Sequence, residues 1–374
     1  MGTVDRGRSA LVVGAGIGGL VAANALARRG WAVEVVEIGA VGRTAGWGLT
    51  LTGPSLRALD TLGLAGRCLD GGYGMSVTTH VDAAGVESPM PLPRLLGPDR
   101  PAMAGIARPD LHRILLDAAR ARGVVVRNET SVSSVHQENE RTRVGLTDAT
   151  TRVVDLLVGA DGLRSAVRGL IDRPSPIRYH GQMVWRALIS RPDWATGIFT
   201  FFGAVRQCGI VPIAPDRAYV FLVESKAEPD VLPDAELPAR MLELLPPGPG
   251  RVAEVRRLVA ASTSVVRRPV QTTLVEAPWS RGSSVLIGDA AHAPSPQMAS
   301  GAALAIEDGV VLAEELDGHD RTDRALEAFV SRRRERCATL VNTSVTIAEL
   351  EQQQRYRETH PLMASCHELM ASPL

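Results

Sequence analysis

Lysine is almost missing from this chain of 374 residues: of its 41 basic residues only Lys226 is not arginine. That leaves little room for a catalytic lysine. Cysteine is scarce as well. Cys68, Cys208, Cys337 and Cys366 are scattered with no CxxC and no Cys/His cluster, so neither a disulfide framework nor a metal site is expected, and the thiols read as reduced. Net charge is also absent, with 41 acidic residues matching the 41 basic ones. Such a balance gives no electrostatic footprint for nucleic acid or an acidic membrane surface. No apolar run reaches the length of a transmembrane helix. Residues 1–8 are short and polar and lead straight into an apolar strand, without the apolar region of a signal peptide, so a cytoplasmic location is expected. Aromatic residues make up only 4% of the chain.

Glycine, in contrast, is placed with purpose. Leu11-Val-Val-Gly-Ala-Gly-Ile-Gly-Gly-Leu20 runs from a buried strand into a helix, with Gly14, Ala15, Gly16, Ile17, Gly18 and Gly19 forming the turn. In such a GxGxxG segment Gly14 permits the tight turn, Gly16 admits a pyrophosphate to the backbone, and Gly19 lets helix and sheet pack closely. An amphipathic run over 20–29, a stop at Gly30 and a second strand over 32–36 complete a dinucleotide-binding unit, and Glu37 stands where a carboxylate takes ribose hydroxyls. NAD, NADP and FAD all fit this unit.

Two later segments repeat the pattern of an apolar strand ending in a polar turn. One is Val153-Val-Asp-Leu-Leu-Val-Gly-Ala-Asp161-Gly162, which then enters a helix. The other is Ser284-Val-Leu-Ile-Gly288-Asp289-Ala-Ala-His292, followed by Pro294, Pro296 and a helical run over 302–316. With the first glycine loop, these motifs resemble those of the single-component flavin-dependent aromatic hydroxylases, the family of para-hydroxybenzoate hydroxylase and salicylate hydroxylase. Gly105-Ile-Ala-Arg108 adds a further match, and Gly301 with Ile306-Glu-Asp308 extends the likeness over most of the chain.

The resemblance implies an α/β fold: a Rossmann-like (GR2-type) FAD-binding domain, an inserted mixed β-sheet substrate domain and a long C-terminal helix. Composition shifts place the FAD-binding domain at 1–75, 99–175 and 279–374, and the substrate domain at 76–98 and 176–278. Helices are expected over 108–121, 237–245, 253–259 and 323–354. In the last of these, Arg332-Arg-Arg334 reads as solvated or partner-binding, in a monomer or homodimer.

FAD is the implied cofactor and NAD(P)H the electron donor. Asp289, Arg43 and Arg108 would contact the pyrophosphate and ribityl region, and Asp161 would support FAD and the approach of the nicotinamide. Gly48 lies in the loop beside the isoalloxazine. The stretch from Pro296 through Ser300 to Gly301 would bring backbone N–H groups and a helix N-terminus to the pyrimidine edge, a field that favours the anionic reduced ring, and Gly288 and Ala302 are also expected to bind the cofactor. The family often has Gly-Gln-Gly before the final helix, whereas this chain has Ala299-Ser300-Gly301, which puts the mobility of the flavin in question.

The implied reaction is oxygen transfer from a flavin C4a-hydroperoxide, formed from NAD(P)H and O2, to an electron-rich carbon of an aromatic or polyketide-like small molecule. In it the cofactor carries the chemistry and the protein orients, dehydrates and deprotonates. Gln207, Tyr219, Arg186 and Met298 are the expected substrate-facing residues, with His80 a further oxyanion anchor. Phe199, Phe201 and Phe202 contribute to an apolar wall that not all three can reach, and His292 serves local hydrogen bonding. Baeyer-Villiger or epoxidising monooxygenases of the same fold are the alternatives, with an FAD-dependent reductase or a redox-idle FAD-binding protein further away. A flavin halogenase is set aside, because its Trp-x-Trp-x-Ile-Pro segment is missing.

Overall fold

The computed structural model describes residues 7–40, 47–82, 84–171, 175–202, 207–276 and 278–374. Strand Ser9–Val13 is buried and apolar on both faces, and so takes the interior of a parallel sheet. It pairs with Ala32–Val36 on one side and Leu156–Gly159 on the other. Val125–Arg127 extends the sheet beyond Ala32–Val36, and the hairpin Ser280–Arg281 and Ser284–Leu286 extends it beyond Leu156–Gly159, giving six strands. The carboxyl ends of the parallel strands deliver Gly14, Glu37, Ala160 and Ile287 to one edge.

Helix Ile17–Arg28 was expected to be amphipathic, yet residues 19–26 are all buried. It is wedged against helices Gly301–Gly318 and Arg108–Ala121 as well as the sheet. A helix buried all round needs its polar groups satisfied. Accordingly, the Asn24 Nδ2 donates to Leu20 O at 2.8 Å and Leu115 O at 2.9 Å.

The second layer is an eight-stranded mixed sheet. Its order is His292–Ala293, Val265–Leu274, Arg178–Ser190, Arg217–Ser225, Gln207–Pro212, Ile198–Phe202, Val77–Val81 and Glu87–Pro91. All neighbours are antiparallel except Ile198–Phe202 with Val77–Val81. Strand alternation splits its side chains cleanly. Trp185, Phe199, Phe201, Ile210, Val220 and Leu222 face outward into a core closed by helices Leu237–Leu244 and Arg251–Ala260. The intervening residues face the first sheet. No helix among the described residues is long and apolar enough to cross a membrane.

The long helix is Thr322–Gln352, and a further helix, Tyr356–Ala371, follows it. Here one expectation is corrected. Arg333 is neither solvated nor at a surface: it is 1% exposed and pairs with Glu307 Oε2 at 2.9 Å and Asp308 Oδ1 at 2.8 Å. Arg336 also holds Glu307, at 2.9 Å. Arg332 pairs with Glu314 and Glu315 on helix Gly301–Gly318, and Arg334 reaches the carbonyl of Glu276. The arginine run is therefore a clamp between two helices.

Asp308, itself fully buried, accepts from three sides: Arg333, the Gly288 N–H at 2.8 Å and His292 Nε2 at 2.7 Å. Burial would raise its carboxyl, but His292 and Arg333 outweigh that and hold it below the ordinary range. Burial would likewise lower the His292 imidazole, and its contacts with Cys337 and Asp308 outweigh it, so the imidazolium persists well above its usual range. Removing one partner of a buried pair strands the other charge, at about 3–5 kcal/mol. Asp308→Asn should lower stability by about that amount in urea unfolding at neutral pH. Because the Asp308 carboxyl is depressed, its contribution is complete above the unfolded value near 4 and is lost as pH falls below it, so the difference between wild type and variant should shrink on acidification.

Candidate active site

A cleft of about 690 Å³ runs between the carboxyl edge of the parallel sheet and the inner face of the eight-stranded sheet. This is where open α/β sheets bind ligands. At one end Ala15, Gly16, Ile17 and Gly18 form its floor. Gly14 has φ +105°, and a Cβ on it would lie 2.4 Å from Ala160 O, while one on Gly19 would lie 2.0 Å from Gly14 O. A Cβ on Gly16 meets nothing within 4 Å. Gly14 and Gly19 are therefore glycines for the fold, and Gly16 is the one that opens onto the cleft.

Glu37 faces the same floor and also shapes it. Its Oε2 accepts from Ala15 N at 2.8 Å and its Oε1 from Gly39 N at 2.8 Å, while His112 Nε2 contacts Ala15 O at 3.1 Å. Leu116, Arg120, Val126 and Asn128 close this end.

Midway, Arg108 and Asp289 line the cleft together. Asp289 is surrounded by protein but keeps an exposed surface toward the cleft. Burial pushes its carboxyl up, while His292 and Arg108 pull it back. Burial and the neighbouring Arg186 lower Arg108, and Asp289 and Tyr219 oppose them. Residues 296–301 form the adjoining wall. Ala299 adopts a left-handed conformation at φ 49°, the position at which the family's first glycine is missing here. Ser300 is fully buried, and its Oγ has no hydrogen-bond partner.

These features test FAD against the residues present. Helices Ile17–Arg28 and Gly301–Gly318 both begin at the cleft without a side-chain cap, which leaves their first-turn N–H groups for a ligand. The open space at Gly16 and the unpartnered Ser300 Oγ add to this. The donor set suits a diphosphate at one helix and a polar ring edge at the other, so the residues fit FAD.

At the far end, Tyr219 is 7% exposed, and its hydroxyl is bonded to Thr50 and Arg186. The Arg186 guanidinium lies 5.9 Å from the centre of the Tyr219 ring, and its Nε is buried without a partner. Burial raises the Tyr219 phenol despite both arginines, so it stays protonated. Gln207, Val184, Ile198, Val211 and Phe221 complete this chamber.

The cleft thus gathers Ala15, Gly16, Ile17, Gly18, Glu37, Gly48, Arg108, Gly288, Asp289, Pro296, Ser300, Gly301, Ala302, Arg186, Gln207 and Tyr219. Other expected residues lie elsewhere. Met298 is buried in the core of the first domain and does not line the cleft, because the turn at 296–298 points it inward. The Asp161 carboxylate is taken up by its own helix, accepting from Ser165 Oγ at 2.5 Å and Ala166 N at 2.7 Å, while Ala160 and Gly162 face the cleft. Phe199 and Phe201 point into the outer core, and His80 lies outside the cleft lining. Arg43 falls outside the described residues, as does the side chain of Phe202. Cys208 is a buried thiol pushed up to about 12 by burial. Sequence reasoning missed Thr50, His112, Phe221 and Gln297. Of these, Phe221 carried a signal, since it sits two residues beyond Tyr219 on one strand.

Two substitutions separate fold from site. Gly16→Val should leave the apoprotein's thermal midpoint within a few degrees but weaken FAD binding at least about tenfold in a fluorescence titration, because the added methyls occupy the ligand's space. Ala299→Gly should stabilise the protein by about 1 kcal/mol in urea unfolding, because it relieves a left-handed alanine.

Comparison with known proteins agrees with this geometry. The family described as FAD binding domain matches residues 8–344. The aurachin C monooxygenase/isomerase of Stigmatella aurantiaca is 30% identical over 352 residues, 92% of this chain and 90% of that protein. The 2-heptyl-3-hydroxy-4(1H)-quinolone synthase of Pseudomonas aeruginosa is 31% identical over 81% of this chain and 79% of its own length. In fold, Klebsiella pneumoniae HpxO complexed with FAD and uric acid superposes with a TM-score of 0.87 at 21% identity, covering 98% of this chain and 97% of that one. The chain therefore belongs to the FAD binding domain family, within its single-component FAD-dependent monooxygenases.

Proposed function

We propose that this chain is an NAD(P)H- and O2-dependent FAD monooxygenase that hydroxylates an electron-rich aromatic or polyketide-like molecule bearing an oxyanion. The observation that carries this reading is the continuity of one cleft, from the open glycine floor at Gly16 to an apolar chamber with Arg186 at its end. The relatives' names support it, and uric acid, a planar ring, accompanies FAD in the HpxO complex.

Bound FAD would supply the redox chemistry, taking hydride from the nicotinamide and activating O2 for transfer. The protein's share is positional. Asp289 and Arg108 would hold the ribityl–diphosphate region, with Glu37 at the ribose. The N-terminus of helix Gly301–Gly318 begins at the cleft without a side-chain cap, and would offer positive dipole to a flavin that becomes negative on reduction. Val184, Ile198, Val211 and Phe221 exclude water from the reacting carbon. Arg186 would pair with the substrate oxyanion, and so favour the ionised, electron-rich form of the ring. Thr50 anchors Tyr219, whose hydroxyl fixes the guanidinium.

The test is stopped-flow reduction of the FAD-loaded protein by NADPH and NADH, with phenolic and polyketide ligands screened for acceleration, followed by mass spectrometry of products made under isotopically labelled O2. A ligand that accelerates reduction and gains one labelled oxygen establishes the activity. A flavin that neither nicotinamide reduces, or reduction with no oxygen in the product, overturns it. With such a ligand in hand, Arg186→Leu should raise its dissociation constant about 10- to 100-fold, the worth of a charged hydrogen bond, with FAD affinity changed less than about twofold. Tyr219→Phe should cost about fivefold.

A further inference from the structure

Gln297 stands in the cleft wall, and the proposed chemistry makes no use of it. Its Nε2 donates to Gln182 Oε1 at 2.8 Å and to Glu351 Oε2 at 3.2 Å, while its Oε1 is buried with no hydrogen-bond partner. Gln182, 2% exposed, donates in turn to Ala348 O at 3.3 Å. Glu351, near the end of helix Thr322–Gln352, is 7% exposed. A buried carboxylate beside a site residue, with an amide and, among the described residues, no cation to offset its burial, is the arrangement that marks functional groups elsewhere. Burial lifts its carboxyl to about 7, and only the Gln297 amide counters this.

The groups around Glu351 are few. Gln182 comes from strand Arg178–Ser190 and Gln297 from the loop before helix Gly301–Gly318; both are neutral. Tyr356, from the next helix, has a phenol raised first by burial and then by the Glu351 charge. His180, on the same strand as Gln182, is lowered by burial, which Glu349 opposes and Arg178 reinforces.

A carboxylate only accepts, whereas a carboxylic acid also donates, and an amide offers an acceptor at one end and donors at the other. Ionised Glu351 therefore requires the N–H end of Gln297. Neutral Glu351 keeps only a weaker carbonyl acceptor for that N–H, while Gln182 Oε1 goes on accepting from the same Nε2 at 2.8 Å, so protonation slackens the hold on the amide without turning it over. We propose that Glu351 is a positioning residue for the cleft, holding the Gln297 amide firmly when ionised and slackening that hold when protonated, so that the wall at residues 296–301 stiffens and loosens with pH. This rests on the reading of those residues as the loop against the flavin. The proton moves on and off Glu351 alone, and no other bond is made or broken.

The experiment is the visible absorption spectrum of the FAD-loaded protein from about pH 5.5 to about pH 8.5, a range that excludes titration of ordinary carboxylates and phenols. Wild type should show a reversible shift of the flavin bands centred near 7. Glu351→Gln, locked in a neutral form, should abolish the transition while still binding FAD, and Glu351→Asp should keep a transition at a displaced midpoint. Gln297→Leu should remove the transition and also offset the spectrum at every pH. Absence of the transition in wild type, or its survival in Glu351→Gln, overturns the proposal. A Gln297→Leu spectrum identical to wild type at every pH instead overturns the placement of the loop, and the proposal with it. The readout is absorption of bound FAD, not turnover, so it stands apart from whether oxygen reaches any substrate.

Discussion

The Asp308 carboxylate is the contact on which the rest of the site depends. It joins the Gly288 N–H and His292, from one turn, to Arg333 on the long helix, so that with its own helix three separate pieces of chain meet there. Through Gly288 it fixes the turn that aims Asp289 at the cleft. Through Arg333 it ties the helix that starts at the cleft, Gly301–Gly318, to the long helix behind it. A charge this deep is tolerable only when every lone pair is matched. The matching groups are the ones that locate the cleft-facing turn, so stability and cleft geometry are carried by the same hydrogen bonds.

Around that anchor the two ends of the cleft are built by different means. The end with the glycine floor is almost wholly backbone: that floor, two uncapped helix starts and a carboxylate, Glu37, that props the adjoining loop. The other end is side chains on strands, with two arginines near one buried phenol. Backbone sites tolerate little variation in sequence, because glycine has no substitute where a Cβ would strike a carbonyl. Side-chain sites vary freely. The modest identity of the relatives, alongside near-complete overlap in fold, accords with this division.

What could be read from sequence follows the same line. The glycine loop, Glu37, Arg108 and the Gly288-Asp289 turn were legible because backbone constraint leaves a spacing signature. Helix Arg108–Ala121 was legible to the residue, because Pro109 starts it and its apolar positions repeat every three to four. Met298 and Asp161 misled for one reason: in a tight turn, neighbouring residues point opposite ways, and spacing alone does not say which faces the cavity. Arg333 was illegible because its burial depends on two acids about 25 residues earlier, a pairing with no local pattern. Glu351 left no trace at all, since only the fold brings it to Gln297.

The alternation of the eight-stranded sheet has a consequence for how such a protein changes over generations. On strands Arg178–Ser190 and Arg217–Ser225, the cleft residues Arg186, Tyr219 and Phe221 are each flanked on both sides by residues sealed into a separate outer core. Mutation on one face leaves the other face's packing intact, so the chamber can be re-lined a residue at a time without passing through an unfolded ancestor. Chemical novelty and structural continuity are encoded on opposite sides of the same strands, and a lineage can explore one while conserving the other.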